Sequence, residues 1–293
     1  MAIEGIYAAV SGLEANQEML DVVSNNLANL NTVGYKDQSV NFASALSEVL
    51  KGAGGTTSTL GGTNPVEIGA GVNVQSIDVD DSTGTMESTG NSLDVAIQGS
   101  GFLVVGDGEP NASNLTANLP ASYDYTRAGD LTTDSAGFLT TQGGQYVVGL
   151  AAQVTGSGVN STVAPTSQQE YILIPSGSTN ITIGTDGSIE YTDSSGNTQV
   201  AGYLALANFP NAEGLQSVGG NLYAATQNSG TPSITTPGSG GSGQVDSGEL
   251  EESNVDLASE FTNMITAQRG YDANAQVITA ANQMLQSLEQ VTA

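Results

Sequence analysis

"LDVVSNNLANLNTVGYK", residues 20–36, changes character halfway along. Its first part carries apolar residues at helical spacing, with Leu20, Val23 and Leu27 leading to Leu30. Its second part holds four asparagines, Asn25, Asn26, Asn29 and Asn31, beside Ser24 and Thr32, and stops at Gly34. The same apolar spacing extends upstream through Leu13, Val10 and Ile6. The pattern predicts a long amphipathic helix at the N-terminal end, with Gly34 as its C-terminal stop. A helix with so apolar a face needs something to cover it.

The other end of the chain supplies a match. Leu257, Phe261, Met264, Tyr271, Ala275, Ile278 and Leu285 recur with a 4–3 spacing, and Gln268 and Asn282 take the remaining seam positions. "SNVD", Ser253–Asp256, has the Ser-x-x-Asp form that caps a helix start. Between the ends, "GVNVQSIDVD", "LDVAIQGSGFLVVG", "YILIP", "NITIG", "SIEYT" and "GYLALANF" read as short strands, punctuated by "TDSAG", "TQGG", "GTDG" and "DSSGN". The expected fold class is therefore α+β. N- and C-terminal helices pair as a coiled coil, and a mainly-β domain is inserted between them.

The expected division places residues 1–34 with 254–293 in a terminal helical domain. Residues 35–71 with 241–253 form an extended connection, and 72–240 a β-rich outer domain. Residues 51–64 and 229–248 read by composition as flexible connections. Two helices cannot bury all their apolar surface on each other, so the surplus predicts further copies of the chain as partners.

Composition narrows the function. The chain has 293 residues with 38% hydrophobic content, enough for a modest β-type core. Only four residues are basic, Lys36, Lys51, Arg127 and Arg269, against 30 carboxylates, for a net charge of −26. Nucleic-acid binding needs clustered Lys and Arg, and anionic lipid needs the same. Cysteine and histidine are absent, which removes disulfides, catalytic triads and the usual zinc sites. No cofactor is expected. No run reaches a membrane span, and "MAIEGIYAAVSGLEANQ" lacks the basic start of a cleaved secretory signal. At a pH of about 2–3 most carboxylates are protonated. The chain then keeps little charge of either sign, which suits an acid environment.

Chemical motifs are few. Asp78, Asp80, Asp81 and Glu87 cluster, but Thr83 stands where a calcium loop needs glycine, so a solvated turn is the better reading. Gly238, Gly240 and Gly243 match a nucleotide-binding spacing without the strand and helix that give it meaning. Asn111, Asn114, Asn160 and Asn180 sit in Asn-x-Ser/Thr triplets, as expected by chance in so polar a chain. A carbohydrate-active enzyme would need aromatic platforms, and aromatics are only 5%.

"AAVSGLEANQEMLDVVSNNLANLNTVGYK" resembles the N-terminal signature of the flagellar rod and hook family, in Ser11-Gly12-Leu13, Leu20-Asp21-Val22, Ser24 to Asn29 and Thr32 to Lys36. "LDVAIQGSGFLVV", Leu93–Val105, is similar to the family's central motif, and Leu250–Leu285 to its C-terminal signature. The resemblance implies a non-catalytic axial component of the bacterial flagellum. It would be exported without a cleaved signal to the hook and basal body outside the cell, with helices forming an inner tube and β domains outside. "GGTNPVEIGAGV", "NFASALSEVL" and Glu260–Thr279 read closer to the hook. The expected role is thus the hook subunit, a curved tubular polymer that transmits torque; the alternative is the distal rod. The partners so implied are other copies, the distal rod, the hook cap, the hook–filament junction protein and the export apparatus. Residues expected at subunit contacts are Leu13, Leu20, Asn25, Asn26, Leu27, Asn29, Phe261, Met264, Gln268, Arg269, Tyr271, Ile278 and Leu285. An adhesin, the competing class, has no need of matched apolar helices at both ends.

Overall fold

The computed structural model describes residues 2–55, 61–155 and 162–292. It divides into two compact units. A helical unit comprises Met1–Ala28, Gln38–Asp80 and Val255–Ala293, and a β unit comprises Asn29–Asp37 and Asp81–Asn254.

In the helical unit, α1 (Ala2–Ala28) and α2 (Leu257–Thr292) pack on each other. They run antiparallel: Gly12 faces Asn274, Asn16 faces Gly270, and Asn26 bonds to Glu260. The buried line of α1 is Ala9, Gly12, Ala15, Val22, Val23 and Asn26, and that of α2 includes Glu260, Ala267 and Ala281. The expected stripes are only partly right. Val23 is buried, but Ile6, Val10, Leu13, Leu20 and Leu27 are half-covered, and Leu257, Phe261, Tyr271 and Leu285 are exposed. Small residues take the seam because they let two backbones approach closely, which displaces the bulky ones to its edges.

α1 also ends earlier than expected, at Ala28. Gly34 sits six residues on, in the β unit, at φ +68°, where a Cβ would come within 2.7 Å of the backbone of Arg127 and Ala128. It is a close-approach glycine rather than a helix stop. At the start of α2 the cap is Asp256, not Ser253: its Oδ1 accepts from the N–H groups of Ala258 (2.8 Å) and Ser259 (3.0 Å). Strand Gln38–Ser44 pairs antiparallel with Val72–Val79, and Ser47–Lys51 pairs with Val66–Gly69. Residues 72–80, read from sequence as the start of the outer block, thus group with the helices. Of the first flexible connection, residues 56–60 lie outside the described residues.

The β unit is built around Phe102–Gly106, which pairs with Asp124–Thr126, Tyr146–Thr155 and Leu206–Asn208. Strand alternation sends its residues to two opposite clusters. Leu103 and Val105 join an aliphatic core with Val95, Ile97, Val147, Ile172, Ile189, Leu204 and Val245. Phe102 and Val104 join an aromatic core with Tyr125, Phe138, Val148, Tyr171, Tyr203 and Phe209. Both faces are covered, which is why "FLVV" reads as an unbroken apolar run. The rings meet edge to face, as Tyr125 and Phe209 do at 4.8 Å between centroids.

The second supposed connection is folded. Ser233–Thr235 pairs with Leu206–Asn208, and Gln244–Ser247 pairs with Val95–Gln98. The glycines 238, 240 and 243 form the tight turn between them, closed by Gly238 N–H donating to the Gly243 carbonyl at 2.8 Å. The motif therefore does follow a strand, and it leads into another strand rather than a helix.

Close backbone approach makes one glycine indispensable. A Cβ on Gly129 would overlap the Val95 carbonyl, which is fixed because Val95 N–H donates to the Gly129 carbonyl at 2.9 Å. Gly129→Ala should destabilise the β unit by about 1–3 kcal/mol, an overpacking cost. Gly52→Ala, in open space, should not. Urea midpoints of the two variants check this, and equal midpoints would refute it.

Candidate assembly site

Two features stand out chemically, one buried and one exposed. The buried one gathers half of the chain's cations. Lys36 and Arg127 are 2% and 1% exposed, and both pair with Glu251, itself 1% exposed. Lys36 Nζ lies 2.7 Å from Glu251 Oε1 and also donates to the Ser82 carbonyl at 2.6 Å. Arg127 Nη1 donates to Glu251 Oε2 at 3.2 Å, and its Nη2 donates to the Gly99 carbonyl at 2.8 Å. Gly84 N–H donates to Glu251 Oε1 at 2.9 Å. Asp81 lies 3.7 Å from Arg127, whose guanidinium stands 5.4 Å from the Phe102 ring centre. Burial and the Arg127 charge push the Lys36 ammonium below its ordinary pKa, while Glu251 pulls it back up.

This cluster ties together the segment that follows α1 and the one that precedes α2. Gly34 N–H donates to the Glu251 carbonyl at 2.8 Å, and Asp37 N–H to Asn254 Oδ1 at 2.7 Å. Sequence reasoning counted the four basic residues but did not pair them. The signal available was their scarcity alone: Lys36 closes the opening stretch, but Arg127 stands in none of the quoted motifs.

Asn26 is fully buried, and its role is internal. Its Nδ2 donates to the Gln38 carbonyl (2.8 Å) and to Glu260 Oε2 (3.1 Å), and its Oδ1 accepts from Gln38 N–H (3.2 Å). It does for the first strand residue what a neighbouring strand would do. Asn29 closes a turn, accepting from Thr32 Oγ1 at 3.1 Å. Asn25 is exposed.

The exposed feature lies on the helices. Phe261 (46%), Ile265 (50%) and Met284 (58%) leave much of their side chains in solvent, as do Tyr7, Leu257, Tyr271, Val277 and Leu285. Of the residues expected at contacts, Leu13, Leu20, Leu27, Met264 and Ile278 are half-covered, while Gln268 and Arg269 are exposed. Ile265, Val277, Met284 and Tyr7 were not anticipated, because they fall off the 4–3 spacing. Among the described residues no cluster of His, Cys, Asp or Glu is placed to hold a metal, and no helix is long and apolar enough to cross a membrane. Asn160 lies outside the described residues.

Three family models match the chain. "Flagella basal body rod protein" covers residues 6–36, "Flagellar hook protein FlgE/F/G D1 domain" covers 96–191, and "Flagellar basal body rod FlgEFG protein C-terminal" covers 246–291. The flagellar basal-body rod protein FlgG of Bacillus subtilis is 38% identical over 287 residues, 98% of each chain. In Borreliella burgdorferi the rod protein FlgG is 31% identical over 288 residues, covering 97% of this chain and 96% of its own. The hook protein FlgE of the same organism is 26% identical, over an alignment of 440 positions that covers 98% of this chain and 99% of its own.

Two outcomes are expected. Glu251→Gln keeps the shape but leaves two buried cations without their carboxylate, and should cost about 3–5 kcal/mol. The readout is a lower urea midpoint at unchanged slope, and an unchanged midpoint would show the cluster to be energetically idle. Separately, burial raises the pKa of Asp124, Asp130 and Glu170. Their ionised forms disfavour the fold at neutral pH, and that penalty fades as pH falls through their raised values towards the ordinary carboxylate range. Tm should therefore rise between pH 7 and about 5, and a Tm that falls throughout would contradict it.

Proposed function

The chain belongs to the FlgE/F/G family of flagellar rod and hook proteins, and we propose that within it the chain is a subunit of the distal rod. As a member it is a structural component of the flagellar axis and not an enzyme. It is closer to the rod proteins than to the hook protein. The observation that carries the rod reading is alignment length: at similar end-to-end coverage, rod relatives align over 287 and 288 residues, whereas the hook relative needs 440 positions. The hook reading rested on motifs that rod and hook proteins share, so they do not separate the two. Length does.

In this reading the paired helices act as a coiled coil whose outward apolar side chains meet other copies, and the β unit forms the outer layer. Leu13, Leu20, Leu27, Phe261, Met264, Tyr271, Ile278 and Leu285 would contribute to those contacts, joined by Ile265 and Met284. Gln268, Arg269 and Asn25 would line their polar margin. The partners are other copies of the chain, the adjoining rod and hook segments, and the export apparatus. The hook cap and the hook–filament junction belong to the hook reading.

Electron microscopy of the purified chain under polymerising conditions tests the role: straight rods are expected, and curved tubes would return the reading to the hook. Phe261→Asp and Ile265→Asp should abolish the polymer while leaving the monomer's melting curve unchanged. Each places a charge where apolar area worth about 1.5–3 kcal/mol is buried on assembly. Polymers that persist in both variants would remove these residues from the contact.

A further inference from the structure

The seam between α1 and α2 holds polar groups where a purely adhesive interface would hold leucines. Asn16 Nδ2 donates to its own helix at the Gly12 carbonyl (2.6 Å), which fixes the side chain, and its Oδ1 is turned to Gly270. A Cβ on Gly12 would come within 2.6 Å of Asn274 Nδ2. Each carboxamide thus faces a glycine on the other helix, in reciprocal fashion. Further along, the Glu260 carboxylate is 4% exposed and, among the described residues, pairs with no cation; it accepts from the amides of Asn26 (3.1 Å) and Asn263 (2.8 Å).

We propose that Asn16, Asn274 and Glu260 are specificity-determining residues that fix one antiparallel register of α1 on α2. The inference goes beyond the assembly reading, because it concerns which pairing the helices adopt rather than what the pair builds. Apolar contacts alone tolerate slippage by a heptad, since one bulky side chain replaces another at little cost. The polar rungs do not. A slip of one heptad carries Glu260 from Asn26 towards Met19, setting a buried carboxylate on a thioether without a donor. Pairing α1 with another α1 can keep asparagine opposite glycine, but it loses the Glu260 rung and leaves Asn26 without that partner. A single buried polar residue fixes register in other helix pairs on the same physical ground. In a polymer of identical chains, many copies of the same helices compete for one another, and an error of register would be propagated.

The chain contains no cysteine, so introduced pairs report register without background. In the full-length protein, Ala15→Cys with Tyr271→Cys reports the observed register. Ala15→Cys with Met264→Cys, or with Ile278→Cys, reports slips of one heptad either way. With the rungs intact, mild oxidation should close the first pair roughly tenfold faster than either slipped pair. In the background Asn16→Ala, Asn274→Ala, Glu260→Met, which leaves Asn26 to serve Gln38, the three rates should converge. Asn274→Ala alone should narrow the gap partway. If the first pair keeps its full advantage without the rungs, the proposal is overturned. It is also overturned if none of the three pairs closes without them, because the rungs would then hold the helices together rather than choose between pairings.

Discussion

The carboxylate of Glu251 joins the segment that follows α1 to the segment that precedes α2. It lies in the interior with two cations on it, Lys36 and Arg127. Ions leave water at a cost of several kcal/mol each, returned only when geometry and additional hydrogen bonds are good. Here they are: the spare donors of Lys36 and Arg127 go to backbone carbonyls at Ser82 and Gly99, and the spare lone pair of Glu251 to Gly84 N–H. With Asp81 beside Arg127, the charges of the group cancel. An apolar trio of the same size would hold the sheet as firmly, but it would not name its partners. Lys36 follows α1 in sequence and Glu251 precedes α2, so their pairing dictates which two chain crossings lie side by side.

The helices obey the opposite logic. Their seam is narrow because alanine and glycine line it, and the bulky residues that periodicity picks out stand at its edges or in solvent. An interior helix pair would bring Phe261 and Ile265 inwards and leave alanine outside. The inversion makes sense when the larger apolar area is reserved for something beyond the pair. Cohesion with neighbours then comes from bulk, and the internal pairing from fit and from amide contacts.

Much of this was legible in the sequence. The α+β class, a helix at each end and the central strand Phe102–Gly106 follow from spacing alone, because periods of 3.6 and 2 are strong signals over long runs. The seam was displaced because a 4–3 pattern marks large residues, whereas the buried residues of α2 include Glu260, Ala267 and Ala281, with half-covered Asn274 in the same row. Glycine-rich composition misled at 229–248. Gly238, Gly240 and Gly241 take positive φ in a turn whose flanking strands are short, so composition spoke of flexibility where backbone geometry required glycine. The Lys36–Glu251 pair spans 215 positions and no local pattern announces it. Rod and hook were inseparable by motif for a different reason: the family models that match the chain are named for rod and hook proteins together.

Charge adds a constraint on how such copies can stack. The basic residues of the β unit are Lys36 and Arg127, and both are buried; Lys51 and Arg269, the other two, are exposed and belong to the helical unit. The solvent-facing surface of the β unit therefore carries carboxylates with no cation to pair them. Two such surfaces repel at separations within a Debye length, about 8–10 Å at ordinary ionic strength. Neutral hydroxyls, amides and glycines can soften the contact but cannot make it adhesive. A polymer of this chain would draw its cohesion from elsewhere, and uncovered apolar side chains stand both on α2 and in the stranded segment between residues 38 and 79, where Leu46 is 88% exposed. The same scarcity of cations limits what acid can do to the fold. Protonating the surface carboxylates removes repulsion without creating a positive shell, because only four residues are basic.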